Sequence, residues 1–375
     1  MTTRWTAAEL VGAIGGRLTV PFDVTGVAID TRTLVPGDLF VALRGEHRDG
    51  HAFVAAALAR GAAGAMVAEE EGLAAGAPLL VVGDTLTGLA ALGAAGRARF
   101  TGRLVAITGS VGKTTTKEML RIILAAQAPT FAAAASHNNH WGVPLTLARL
   151  PAVAAFCIAE LGMNHAGEIA PLARLARPQV AVITAIASAH IGHLGSITAI
   201  AEEKAAILFG LEPGGAAVLP ADSDHLPRLR AAARAAGVAR VVTFGADPAA
   251  DVRLDAATDD APAGGAPTGE APNGDTSTGN VPIGNTLTGN APTGDTPGTE
   301  VRASVGGEAV AFRLNAPGRH MALNALAALA AAVVLGVSPP AAARALAGFA
   351  PMSGRGARRV IAVPGGTALL LDESY

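Results

Sequence analysis

Residues 107–120 read ITGSVGKTTTKEML, and their types suit a phosphate. Gly109, Ser110, Val111 and Gly112 form a short turn ahead of Lys113, Thr114 and Thr115. Successive backbone N–H groups in such a turn converge on one concavity, and the dipole of the following helix adds partial positive charge there. Lysine reaches a terminal phosphate, and the Thr114 hydroxyl is a ligand for Mg²⁺. The usual loop places its first glycine five residues before the second. That position is Ile107, and the only nearby upstream glycine is Gly109. Phosphoryl chemistry also needs acceptors for a cation. Glu160 ends the apolar run FCIAE and His190 follows VAVITAI, so both are expected at the sheet edge that carries the loop. The polar cluster Ser136–His140 is a further candidate for ligand contact.

These residues need a strand before the loop and a helix after it. LVAI supplies the strand, and a helix is expected from Lys113 to about Ala126. Apolar runs alternate with helical stretches on both sides of this unit. The expected fold class is therefore α/β: a small N-terminal α/β domain, then a mostly parallel sheet covered by helices. The expected boundaries are residues 1–102, 103–350 and 351–375, the last being the first hairpin of a third domain. Residues 255–300 break the pattern. From Ala266 to Asp295 six pentapeptides follow one another, each with glycine fourth and an acid or asparagine fifth. Most units lack the apolar residue that a solenoid core requires, so a disordered insertion is expected.

Composition narrows the function classes. Half of the 375 residues are apolar and the formal net charge is −2, so no general attraction to nucleic acid or anionic lipid arises. The single cysteine, Cys157, excludes an internal disulfide and a cysteine metal cage. No apolar run reaches the roughly 20 residues of a membrane span. A cytoplasmic protein and a monomer are expected.

Six segments occur in the order and spacing of one family: TGSVGKTTTKEM, NNHWGVPLTL, ELGMNHAGEI, SAHIGHLGSI, EEKAAI and APGRHMALNALAA. The chain resembles the Mur ligases, and within them the type that adds D-alanyl-D-alanine. The family shares the shorter glycine spacing, so Ile107 is strand and not a defect. The resemblance implies an ATP-dependent, ADP-forming amide ligase of peptidoglycan precursor synthesis. Its substrates would be UDP-N-acetylmuramoyl-tripeptide and D-alanyl-D-alanine, joined through an acyl phosphate.

Roles follow by matching positions. Gly109 to Thr115 would hold the ATP phosphates, with Lys113 on the γ-phosphate. Thr114, Glu160, His190 and a carbamylated Lys204 would hold Mg²⁺. Asn324 matches an adenine contact, Arg355 an arginine near the γ-phosphate, and Asp372 an acid near the ribose. Thr31 and Arg32 fall in the unit that takes the UDP end, and Asn138 and Asn139 on the muramoyl-peptide side. ALLLDESY resembles the opening of the family's C-terminal domain, so a truncated ligase, inactive alone, is expected. The rival readings are the sister ligase that adds the third amino acid, a phosphate-loop NTPase, and a binding-only fragment.

Overall fold

The computed structural model describes residues 5–133, 137–188, 191–260, 298–347, 349–351, 357–363 and 366–372, the last two as backbone. The N-terminal unit comprises α1 (Ala7–Ile14), β1 (Arg17–Leu18), β2 (Gly26–Ala28), β3 (Asp38–Val41), α2 (Val54–Ala59), β4 (Gly64–Val67), β5 (Leu79–Val81) and α3 (Thr85–Arg99). Thr6 starts α1 through a reciprocal cap with Glu9, and Gly15 ends it. The sheet order is β1-β5-β4-β3-β2, parallel except for β1.

The central unit starts with β6 (Arg103–Thr108), α4 (Lys113–Ala125), β7 (Thr130–Ala132), α5 (Gly142–Ala148), β8 (Phe156–Glu160), α6 (Ile169–Ala176) and β9 (Val180–Ile183). It continues with α7 (Ile191–Leu194), α8 (Ile197–Ala205), β10 (Ala216–Pro220), α9 (Leu226–Ala235), β11 (Arg240–Gly245), β12 (Val252–Asp259), β13 (Thr299–Val305), β14 (Glu308–Leu314), α10 (Arg319–Val334) and α11 (Pro339–Leu346). Its nine strands run β14-β13-β12-β11-β10-β9-β6-β8-β7. The seven from β7 to β12 are parallel, and β13 and β14 complete an antiparallel edge.

Burial on both faces explains the unbroken apolar strands. In β6, Val105 and Ile107 face the core under α4 and α10, while Leu104 and Ala106 face the opposite core. This is the parallel-dominated α/β fold expected from the alternation of strands and helices. The hairpin near the end is present as well: β15 (Ala357–Val363) pairs antiparallel with β16 (Gly366–Asp372).

The expected insertion was drawn too wide. Residues 255–259 belong to β12 and residues 299–300 to β13. Their polar side chains read as loop, yet residues 255–259 carry β12 past the end of its β11 partner, and residues 299–300 lie between β12 and β14. Asp259 accepts from the Thr299 hydroxyl and from Gly318 N, and Asp260 accepts from Gly298 N. The pentapeptide run itself lies outside the described residues.

The two units are locked by backbone proximity. Helices α3 and α5 approach so closely that a Cβ on Gly96 would lie 2.2 Å from the Leu147 carbonyl oxygen. One on Gly93 would lie 2.8 Å from that of Pro144. Next to them the buried Arg97 guanidinium donates to the carbonyls of Ala176 at 2.6 Å and Arg177 at 2.7 Å, where α6 ends. Trp5 donates to Ala148 O across the same boundary, and Arg149 to Val27 O. Among the described residues, no helix is long and apolar enough to cross a membrane.

Gly96→Val should push α3 off α5 and lower stability by about 2 kcal/mol or more, as overpacking does, read as a drop in melting temperature. An unchanged melting temperature would mean that the close approach is not required. Replacing residues 261–297 with a five-residue Gly-Ser turn should leave the fold intact, because Asp260 N already donates to Gly298 O at 3.0 Å. Three halvings of loop length favour closure by about 0.6 kcal/mol each, so the melting temperature should hold or rise. Loss of soluble protein would show that the run packs on the rest.

Candidate functional site

Strand β6 delivers the chain into a turn that β9 holds from the side. Ser110 N donates to Ala185 O at 2.8 Å, and the Ser110 hydroxyl and Ala187 exchange two hydrogen bonds of 3.0 Å. The Thr184 hydroxyl donates to Val111 O at 2.6 Å. A Cβ on Gly109, whose φ is +152°, would meet that hydroxyl at 2.0 Å. Gly112, at φ +83°, is the N-cap of α4 and has no side chain with which to cap it. The helix thus presents its first-turn N–H groups to the cavity, the arrangement an anion needs. Lys113 Nζ donates back to Gly109 O at 2.8 Å and Ser110 O at 3.3 Å, over the same turn.

Glu160 ends β8 opposite Ile107 of β6, beside the turn. It is 4% exposed. Its Oε2 accepts from the Thr114 hydroxyl at 2.8 Å and its Oε1 from Asn138 Nδ2 at 2.9 Å. These groups line a cavity of about 380 Å³, together with Asn139, His140 and Glu168. A carboxylate, a hydroxyl and a nearby lysine in one cleft suit a phosphate with its counter-cation.

Lys204 of α8 is fully buried, and its Nζ has no hydrogen-bond partner among the described residues. Burial, then the like charge of Lys113, lower its pKa to about 7, while Glu203 and Glu168 oppose the shift. A substantial share of the amine is therefore uncharged near neutral pH. Its neighbour Glu203 anchors α8, accepting from Gly167 N and Ile169 N at 2.8 Å each where α6 begins. Glu168 turns the other way and accepts from Asn164 N at 2.7 Å, shaping the cavity wall.

Two larger cavities adjoin. One of about 610 Å³ lies beyond Gly112 and Thr115, walled by Asn324 and His320 of α10, Phe244, and Asp222 to His225. Asn324 packs directly on the turn, since a Cβ on Gly112 would lie 2.3 Å from its Oδ1. The other, about 880 Å³, lies in the N-terminal unit around Thr31, Arg32, Arg44 and Arg48. Asn139, His140 and Trp141 of the central unit close it. The Arg32 guanidinium donates three hydrogen bonds to Asp30 and its backbone N–H a fourth, and Asp30 is thereby kept below its usual range.

The structure thus brings Ser110 to Thr114, Asn138, Asn139 and Glu160 into one cleft, with Gly109 leading into the turn and Thr115, Asn324, Thr31 and Arg32 on the flanking cavities. Asn138 contacts the Glu160 carboxylate directly, a contact that sequence reading did not foresee. His190 and Arg355 lie outside the described residues, as does Ser136. Asp372 is placed only as the β16 partner of Ala357. Sequence reading also missed Thr184, Ala187 and Asp222. Their one signal was position, immediately after strands that point at the loop.

Comparison with known proteins agrees with this layout. Residues 107–266 match the Mur ligase middle domain, and residues 23–96 the catalytic domain of the Mur ligase family. A UDP-N-acetylmuramoyl-tripeptide–D-alanyl-D-alanine ligase of Synechocystis is 43% identical over 142 residues, which are 37% of this chain and 31% of that protein. The Escherichia coli protein of the same name is 40% identical over 158 residues, 42% of this chain and 34% of that one. These matches therefore span about a third of the length of the curated relatives. The crystal structure of MurF from Acinetobacter baumannii superimposes with a TM-score of 0.80 at 30% identity, covering 100% of this chain and 74% of that one. MurF ligase from Thermotoga maritima, solved with ADP, gives 0.70 at 24% identity, covering 93% and 71%, and shares the fold.

Asn138→Leu should leave Glu160 Oε1 without its donor and cost about 1–3 kcal/mol, measured by denaturant unfolding. Asn138→Asp should cost more, since two carboxylates would then face each other. Equal stability of both variants and the parent would show that Asn138 does not support Glu160.

Proposed function

Because the chain belongs to the Mur ligase family, we propose that it serves the ATP-dependent joining of D-alanyl-D-alanine to UDP-N-acetylmuramoyl-tripeptide. The observation that carries this reading is the buried Lys204 amine, without a partner among the described residues and close enough to Lys113 to feel its charge. A charged ammonium at that place would repel both Lys113 and a metal. A carbamate, formed when the neutral amine adds CO₂ and loses a proton, replaces the cation with an anionic oxygen donor. The Thr114 hydroxyl and the Glu160 carboxylate suit Mg²⁺, and with the Lys204 carbamate and, by the family resemblance, His190 they would hold it. Bound there, Mg²⁺ would neutralise charge on the β- and γ-phosphates.

In this reading the N–H groups of Gly109 to Thr115 hold the ATP phosphates. Lys113 leaves its carbonyl partners for the γ-phosphate, and Asn324 contacts the adenine in the cavity beyond Gly112. The family resemblance alone would assign Arg355 to the γ-phosphate and Asp372 to the ribose. The cavity of the N-terminal unit, with Thr31 and Arg32, takes the UDP end, and Asn138 and Asn139 border the peptide. The tripeptide carboxylate attacks the γ-phosphorus, forming an acyl phosphate and releasing ADP. The amine of D-alanyl-D-alanine then attacks the acyl carbon, and phosphate leaves. Alignment and fixed positive charge supply the acceleration.

Two measurements test this. With ¹³C-bicarbonate, a carbamate carbon signal should appear by NMR and be absent in Lys204→Ala. It should grow from about pH 6 to about pH 8, because only the neutral amine reacts and it prevails above the lowered pKa. Phosphate release from Mg·ATP should require UDP-N-acetylmuramoyl-tripeptide and fall at least about a hundredfold in Lys204→Ala. Release from ATP alone, indifferent to the UDP-sugar, would favour a simple NTPase. A requirement for the dipeptide precursor instead would assign the chain to the sister ligase.

A further inference from the structure

Residues 138–141 form a wall between two cavities, and their order along the chain is also an order in space. Asn138 bonds Glu160 in the reaction cleft. Asn139 and His140 line both that cleft and the cavity of the N-terminal unit. Trp141 lines only the second. Asn139 fixes the segment, its Oδ1 accepting from Gly142 N at 2.9 Å and Trp141 N at 3.2 Å. The indole spans the boundary between the two units, with Cη2 3.1 Å from the place a Cβ on Gly45 would take. The His140 ring stands edge-on to it at 5.6 Å.

The proposed substrate has the same order. Its reacting carboxylate ends a three-residue peptide, then come an amino-sugar ring, a diphosphate and uridine. Three residues span at most about 10 Å. Residues 139–143 close a helical turn, Val143 N donating to Asn139 O at 3.0 Å, which turns the indole toward the N-terminal unit. With the carboxylate beside Glu160 and Asn138, the sugar follows the peptide toward the cavity that Trp141 closes. A pyranose carries its hydroxyls around the rim and presents C–H groups on its faces. An indole is flat, apolar and large enough to cover such a face. The charged and polar groups of the cavity, Arg32, Arg48 and His47, lie on the N-terminal unit, where the diphosphate and base would follow.

We propose that Trp141 is the specificity-determining residue for the hexose ring, packing its indole on the sugar and leaving uridine to the N-terminal unit. This rests on the reading that the cavity around Thr31 and Arg32 takes the UDP end of the substrate.

The chain holds two tryptophans, and Trp5 is 2% exposed within the core, so fluorescence can report Trp141. Titration with UDP-N-acetylglucosamine should perturb the emission, and titration with UDP alone should not. Trp141→Phe should abolish the signal while retaining most of the affinity. Trp141→Ala should weaken UDP-N-acetylglucosamine about tenfold, the upper range of aromatic packing, and UDP less than about twofold. Unchanged affinity for the UDP-sugar in Trp141→Ala would reduce the indole to a structural wall and overturn the proposal. An equal loss for UDP would overturn it too, by assigning the ring to the base. Absence of binding by either nucleotide in the parent chain, with Mg·ADP still bound, would sink the proposal together with the underlying reading of the cavity.

Discussion

The Glu160 carboxylate is the constraint around which the cleft is arranged. A carboxylate almost removed from water is tolerable only when its oxygens are satisfied. One oxygen takes the Thr114 hydroxyl and the other takes Asn138 Nδ2. These two bonds tie three separate pieces to one point: the start of α4, the end of β8 and the segment before α5. The phosphate turn is therefore positioned by the sheet and does not depend on its own sequence for rigidity. Thr184 and Ala187 complete the hold from β9.

The same logic extends between the two units. No linker separates α3 from β6 by more than a few residues. Gly93 and Gly96 let helix backbones touch, and Arg97 fills the carbonyl groups left open where α6 ends. This interface fixes the cavity of the N-terminal unit relative to the phosphate turn. Lys204 shows the complementary cost. A fully buried amine without a partner among the described residues is unfavourable as a cation, and its pKa falls accordingly.

Much of this was legible in residue order. The glycine turn followed by Lys113 and Thr114 has local causes: an apolar strand, two glycines and a helix start. So do α10 and the β13–β14 hairpin, whose periodicities are unambiguous. Glu160 at the sheet edge followed from its place at the end of an apolar run. The ends of the insertion were misread because Asp255, Thr258 and Asp259 look like loop residues. They are strand because their polar faces are outward on a sheet edge, and composition alone does not register an edge.

Sequence by itself determined the α/β class, the phosphate turn and the family, since each rests on types and spacings over short stretches. Tertiary structure decided which distant groups meet. That Asn138 serves Glu160, that Glu203 anchors α8 to the start of α6, that Lys204 is buried, and that Trp141 closes a cavity in the other unit all depend on contacts between segments far apart in the chain. Such contacts are set by how two faces of a sheet and two units pack, and packing is a property of the whole chain.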